Sequence, residues 1–161
     1  KKPNKIKSLS INTNSYSKKI NDAVNEALTL AECTNIARDL VNEPANVIYP
    51  ETLAAQAVEL SKKYGFTAEI FDEFEIAKLK MEAFLSVARA AEKRPKLIVL
   101  KHFGNQKSKE ITALVGKGLT YDSGGLALKP ASGMVAMKCD MGGAAAVIGA
   151  VCAISAICTS N

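Results

Sequence analysis

The 161-residue chain is 48% hydrophobic and 23% charged, enough apolar content for one packed domain and too much for a disordered chain. Its formal charge of +5 is local: residues 1–20 hold six lysines and no acid, and the other 15 basic residues face 16 acidic ones. Residues 1–20 therefore read as a basic arm or linker; with no aromatic interleaving and no arginine-rich helix, they are the only feature favouring a nucleic-acid partner.

From Asn21 to Val41, apolar Val24, Ala27, Leu28, Ala31, Ile36, Ala37, Leu40 and Val41 recur mostly at three- and four-residue steps, which predicts a long helix with one buried stripe. The stretch "NEPANVIYP" breaks it. Pro50 suits the first turn of a second helix, with Leu53, Ala57, Leu60 and Tyr64 on one face and Gly65 as its stop. "TAEIF" reads as a strand; Asp72 with Glu75 three residues on resembles a capping box, opening a short helix with Ile76 and Leu79 on its apolar side.

Two apolar runs follow, Leu97–Leu100 and Ile111–Val115, each short enough for a strand buried on both faces. Alternating helices and strands favour an α/β fold, a three-layer sheet with helices on both faces, whose ligands sit at the carboxyl ends of strands. Gly116 onward falls at such an end. Met141–Cys158 carries no charge and approaches the length of a membrane span. It is rich in Gly, Ala and Ser and lacks flanking aromatics, so a buried helix packed closely on a sheet is expected, and no membrane.

Cys33, Cys139, Cys152 and Cys158 form no C-x-x-C pair, as expected of free, mostly buried thiols in a reducing, cytoplasmic compartment. The sequence opens on Lys1 without an apolar leader, so no secretory signal is visible.

The stretch "GKGLTYDSGGLALK", Gly116 to Lys129, is the chain's most informative. A dinucleotide fingerprint fails because Tyr121 stands where the third glycine belongs, and no window supplies a P-loop. A nucleophile elbow needs glycine two residues on each side, but Ser123 has Tyr121 before it and Gly125 after it; His102, the only histidine, is expected at the surface, leaving a triad little to build on. Four charged residues remain: Lys117, Asp122, Lys129 and Asp140. They are either separate surface charges or, beside segments that read as buried, groups that must be paired or bind a metal. Carboxylates suit Mg, Mn or Zn, and a lysine can join them only as a neutral amine.

The segment "VGKGLTYDSGGLALKPASGMVAMKCDMGGAAAVIGA" resembles the signature of the leucyl (cytosol) aminopeptidases, close to V-G-K-G-I/L-T-F-D-S-G-G, then K-P, then G-M-x-x-M-K-x-D-M-G-G-A-A. "ARDLVNEPANVIYPETLA" resembles the same family's entry into its catalytic domain, so the likeness covers about residues 30–161. The resemblance implies two divalent ions (Mn, Zn or Mg) that bind a peptide's free amino terminus and activate a water. It implies that Lys117 and Asp140 ligate one ion, that Asp122 bridges both, and that Lys129 polarises the scissile carbonyl. Met137 falls where the family lines the pocket for the first side chain, although a methionine at such a place is more often simply core.

The departures matter as well. Tyr121 replaces the usual Phe, adding a hydroxyl that needs a partner. A glycine usual near Ala90 is missing. The family's second cluster, Asn-Thr-Asp-x-Glu-Gly-Arg, whose arginine positions a bicarbonate base, has no equivalent here. Residues 21–161 are thus expected to be the N-terminal half of an incomplete aminopeptidase/phosphorylase-like catalytic domain. The resemblance implies a leucine-preferring peptidase that forms a homo-hexamer when full-length. The chain alone is expected to be inactive, with an apolar face left open; a DNA-binding or assembly role is the alternative.

Overall fold

The computed structural model describes residues 6–14 and 17–158. Residues 6–14 are exposed and irregular. Helix α1 spans Lys18–Asn42, capped by the Ser17 hydroxyl, which accepts from Ile20 N at 3.3 Å. It therefore starts inside the expected arm. Helix α2, Pro50–Tyr64, has proline in its first turn and ends at Gly65, whose φ of 77° is the left-handed conformation glycine adopts without strain. Leu53 and Ala57 of the expected face are buried, and Leu60 and Tyr64 pack against them.

Strand β1, Thr67–Phe71, runs into a capping box. The Asp72 carboxylate accepts from Phe74 N and Glu75 N, both at 2.9 Å, while Glu75 accepts from Asp72 N at 2.8 Å, opening helix α3, Glu73–Lys78. Ile76 is fully buried, whereas Leu79, expected beside it, is 53% exposed because the helix has ended and the chain turns at Lys80. Helix α4, Glu82–Ala88, has no counterpart among the elements expected from the sequence. Strand β2, Leu97–Lys101, pairs antiparallel with β1, Thr67 opposite Lys101 and Phe71 opposite Leu97.

The α/β class holds, with α2 and α3 packed on the strands. The expected strand Ile111–Val115 is not formed, and Ile111 and Val115 are 90% and 93% exposed. An apolar run becomes a strand only where a neighbour satisfies its backbone and covers its faces. Among the described residues the sheet stops at β1 and β2 and offers this run no partner. Gly116 therefore follows an exposed, irregular segment rather than a strand end.

The chain closes with helix α5, Ala131–Met134, a 3₁₀ turn, Val135–Cys139, and helix α6, Gly142–Cys158. The stretch 131–158 is long and apolar enough to cross a membrane by length and composition. Here α6 buries Ala145, Ile148, Gly149 and Cys152, chiefly against α1 and also α2. The expected packing on a sheet is thus corrected to packing on helices. The cause lies in the small residues: a Cβ at Gly149 would stand 2.9 Å from the Cys33 carbonyl oxygen, so only glycine lets the two backbones approach this closely. The Ser155 hydroxyl donates to Tyr64 O at 2.7 Å, tying α6 to the end of α2.

All four cysteines are free, but only Cys33 and Cys152 are buried; Cys139 and Cys158 are exposed, against the expectation of mostly buried thiols. Burial pushes the Cys152 thiol up to about 11. His102 is half-buried rather than at the surface, because the chain folds back over its ring: Nε2 is buried, and the backbone at Gly104 passes beside it.

Candidate metal centre

Two close backbone approaches fix the site. A Cβ at Gly116 would lie 2.2 Å from the Gly143 carbonyl oxygen, and one at Gly143 would lie 2.7 Å from Lys117 N. Side chains at either position would push the 116–117 segment off the start of α6. With glycines there, Ala144 N donates to Lys117 O at 2.9 Å, and the Lys117 side chain emerges beside Asp140, just before α6.

Lys117 Nζ lies 2.8 Å from Asp140 Oδ1. The second pair stands on a tight loop: Lys129 Nζ is 2.7 Å from Asp122 Oδ2 and donates to Asp122 O at 3.0 Å. Asp122 Oδ1 accepts from Gly124 N at 2.9 Å, and Lys129 N donates to Ser123 O at 2.9 Å. Gly124 permits this fold, at φ 88° and with a Cβ that would meet Ala127 O at 2.4 Å.

The hydrogen bond that Lys117 donates to Asp140 holds the Lys117 ammonium above its usual range, and the Lys129 ammonium followed by the Gly124 amide holds the Asp122 carboxyl below its own. The four expected residues are thus joined in two ion pairs. The alternative of separate surface charges does not describe them.

Do these residues fit a divalent ion? Asp140 is the informative one. Its side chain is 12% exposed, and Oδ2 is buried with no hydrogen-bond partner among the described residues. A buried carboxylate oxygen left unpaired is costly, and a cation is a partner that would satisfy it. Asp122 and Asp140 supply hard oxygens, while no group of three or more His, Cys, Asp or Glu suited to a metal occurs among the described residues. The donor set is right in kind and short in number.

Met137 lies half-buried on the 3₁₀ turn, and its carbonyl accepts from Asp140 N at 3.3 Å. Gly143 is as necessary to the site as Gly116, yet the sequence alone does not single it out; the paired glycines at 142–143 are its visible trace. The partner that the Tyr121 hydroxyl needs is the Met134 carbonyl, at 3.2 Å.

Comparison with known proteins follows the same residues. The family model described as "Cytosol aminopeptidase family, catalytic domain" matches residues 35–160. A probable cytosol aminopeptidase of Clostridium perfringens is 58% identical over 134 residues, covering 83% of this chain and 27% of that protein. Among solved structures, leucine aminopeptidase of Caenorhabditis elegans superposes with a TM-score of 0.77 at 35% identity, over 83% of this chain and 27% of that one. The bottromycin maturation enzyme BotP in complex with Mn superposes at 0.74 and 36% identity, over 86% and 30%. The chain thus spans less than a third of the length of these relatives.

Proposed function

This chain belongs to the cytosol aminopeptidase family, and we propose that it supplies one wall of a two-metal aminopeptidase centre in the complete enzyme. The observation that carries the reading is the Lys117, Asp122, Lys129 and Asp140 cluster with its unpartnered, buried Asp140 Oδ2. Lys117 Nζ and the Asp140 carboxylate would hold one ion, and the Asp122 carboxylate would lie between two. When bound, such ions supply Lewis acidity and lower the pKa of a water.

The chain's own residues do the rest. To hold an ion Lys117 would have to act as a neutral amine, since an ammonium has no lone pair to offer. Lys129, whose Nζ lies 2.7 Å from Asp122 Oδ2, would hold the carbonyl oxygen of a scissile peptide bond as negative charge develops there. Asp140 and Lys129 border the substrate, and Met137 contributes an apolar wall for its first side chain. The substrates would be peptides with leucine-like amino termini.

Residues 21–161 would be the N-terminal half of the catalytic domain, preceded by the basic arm of residues 1–20. Manganese, zinc and magnesium all fit the hard donors, and an arginine with bicarbonate would come from the remainder. A hexamer in the cytoplasm is consistent with the free thiols and with the exposed apolar residues beside the site, among them Val115, Leu126 and Val135.

The test is leucine-amide hydrolysis with added Mn or Zn. The complete enzyme should be active and its Asp122→Asn and Lys129→Met variants reduced by at least about 100-fold, while the isolated chain should show no turnover. Full activity of the Asp122→Asn variant would refute the assignment.

A further inference from the structure

The Tyr121 hydroxyl takes no part in the chemistry above, yet it joins two parts of the site. Tyr121 immediately precedes Asp122. Its Oη donates to Met134 O at 3.2 Å and lies 3.6 Å from Met134 Sδ. Met134 is the last residue of α5, and the 3₁₀ turn that follows, Val135–Cys139, leads directly into Asp140. One hydroxyl therefore connects the residue before one carboxylate to the start of the turn that delivers the other.

The remaining contacts complete the frame. Lys129 N is bonded to Ser123 O, Lys129 Nζ to Asp122, and Met134 N to Pro130 O at 3.2 Å. Each of these ties neighbours within the 122–134 loop. The Tyr121 bond closes that loop across its mouth, 13 residues apart in sequence.

We propose that Tyr121 is a positioning residue whose hydroxyl sets the spacing of the Asp122 and Asp140 carboxylates, and so the affinity of the centre for divalent ions. This rests on the two-metal reading above. Removing the hydroxyl leaves the ring in place and both carboxylates intact, but lets the 3₁₀ turn drift from the Asp122 loop. A single neutral hydrogen bond at a half-exposed position accounts for a modest effect, about threefold to tenfold in a binding constant.

The experiment compares Tyr121→Phe with Asp122→Asn in the complete enzyme, reading Mn(II) binding by electron paramagnetic resonance of the free ion, with thermal melting of the metal-free protein alongside. The expected result is a Kd for Mn raised threefold to tenfold in Y121F, an unchanged melting point, and kcat at saturating Mn within about twofold of the parent. D122N should lose most Mn binding. Loss in D122N with an unchanged Kd in Y121F overturns the positioning role alone. A Y121F variant that melts earlier but binds Mn as tightly overturns it too, since its bond would then be merely structural. Unchanged Mn binding in D122N refutes the metal centre itself.

Discussion

Gly116 and Gly118 stand two residues apart in the same glycine-rich stretch and should respond differently to one added methyl group. A Cβ at Gly116 would meet Gly143 O at 2.2 Å, Gly143 C at 2.5 Å and Ala144 N at 2.7 Å, all of them backbone atoms. Carbon atoms pack best at about 3.5–4.0 Å, so the segment must retreat by roughly 1 Å. Overpacking of this kind costs about 1–3 kcal/mol. In a domain of this size each kcal/mol lowers the melting point by roughly 2–4 °C, so Gly116→Ala should melt about 2–12 °C lower. Lys117 moves with the displaced backbone and loses its 2.8 Å contact with Asp140. In the complete enzyme a misplacement of roughly 1 Å corresponds to about 100-fold in kcat/KM. At Gly118 the nearest atom is the Ala144 Cβ, at 3.4 Å, an ordinary contact, and Gly118→Ala should be close to neutral in both assays. Thermal melting of the chain by circular dichroism, with kcat/KM of the complete enzyme, separates the two. Equal melting points for both variants would refute the close-approach reasoning.

Ser155→Ala should destabilise the chain by about 1–3 kcal/mol, because it leaves the Tyr64 carbonyl without the 2.7 Å bond that joins α6 to the end of α2. Urea denaturation should show a lower midpoint at an unchanged slope; an unchanged midpoint would count against that tie. Alkaline pH should weaken the fold through Cys152. Its folded value of about 11 lies above the ordinary thiol value of 9.0, so the native state holds its proton longer than the unfolded chain does. That stabilisation is fully present below about pH 9 and is lost between about pH 9 and pH 11, on the order of 2–3 kcal/mol in total. Cys152→Ala should flatten the loss, and an equally steep one in that variant would assign it to other groups.

Local chemistry was legible in the sequence wherever it was self-contained. Pro50 and Gly65 bound α2 because one fits the first turn and the other the left-handed stop, and Asp72 with Glu75 closes its capping box within four residues. The charges at Lys117, Asp122, Lys129 and Asp140 stood out between glycines, but separate surface charges were an open reading until the family resemblance assigned them roles; the structure brings them into two pairs. What failed depended on distant partners. Ile111–Val115 has the composition of a buried strand, but strand formation needs a neighbour that the described residues do not provide. The packing of α6 on α1 turns on Gly149 opposite Cys33, a contact between residues far apart in the chain. The 3₁₀ turn before Asp140 and its tether to Tyr121 lie beyond any periodicity, since neither the turn nor α5 is long enough to show one.

Whether Lys117, Asp122 and Asp140 form one wall of a metal site is tested most directly by anomalous diffraction from crystals of the complete enzyme soaked in Mn. Two peaks are expected, one of them within coordination distance of Lys117 Nζ and an Asp140 carboxylate oxygen. The Asp122 carboxylate should reach both, at about 2.0–2.2 Å from oxygen as for other small divalent ions. Mn bound only elsewhere, with the Lys117–Asp140 and Lys129–Asp122 pairs still closed at saturating metal, would contradict the assignment.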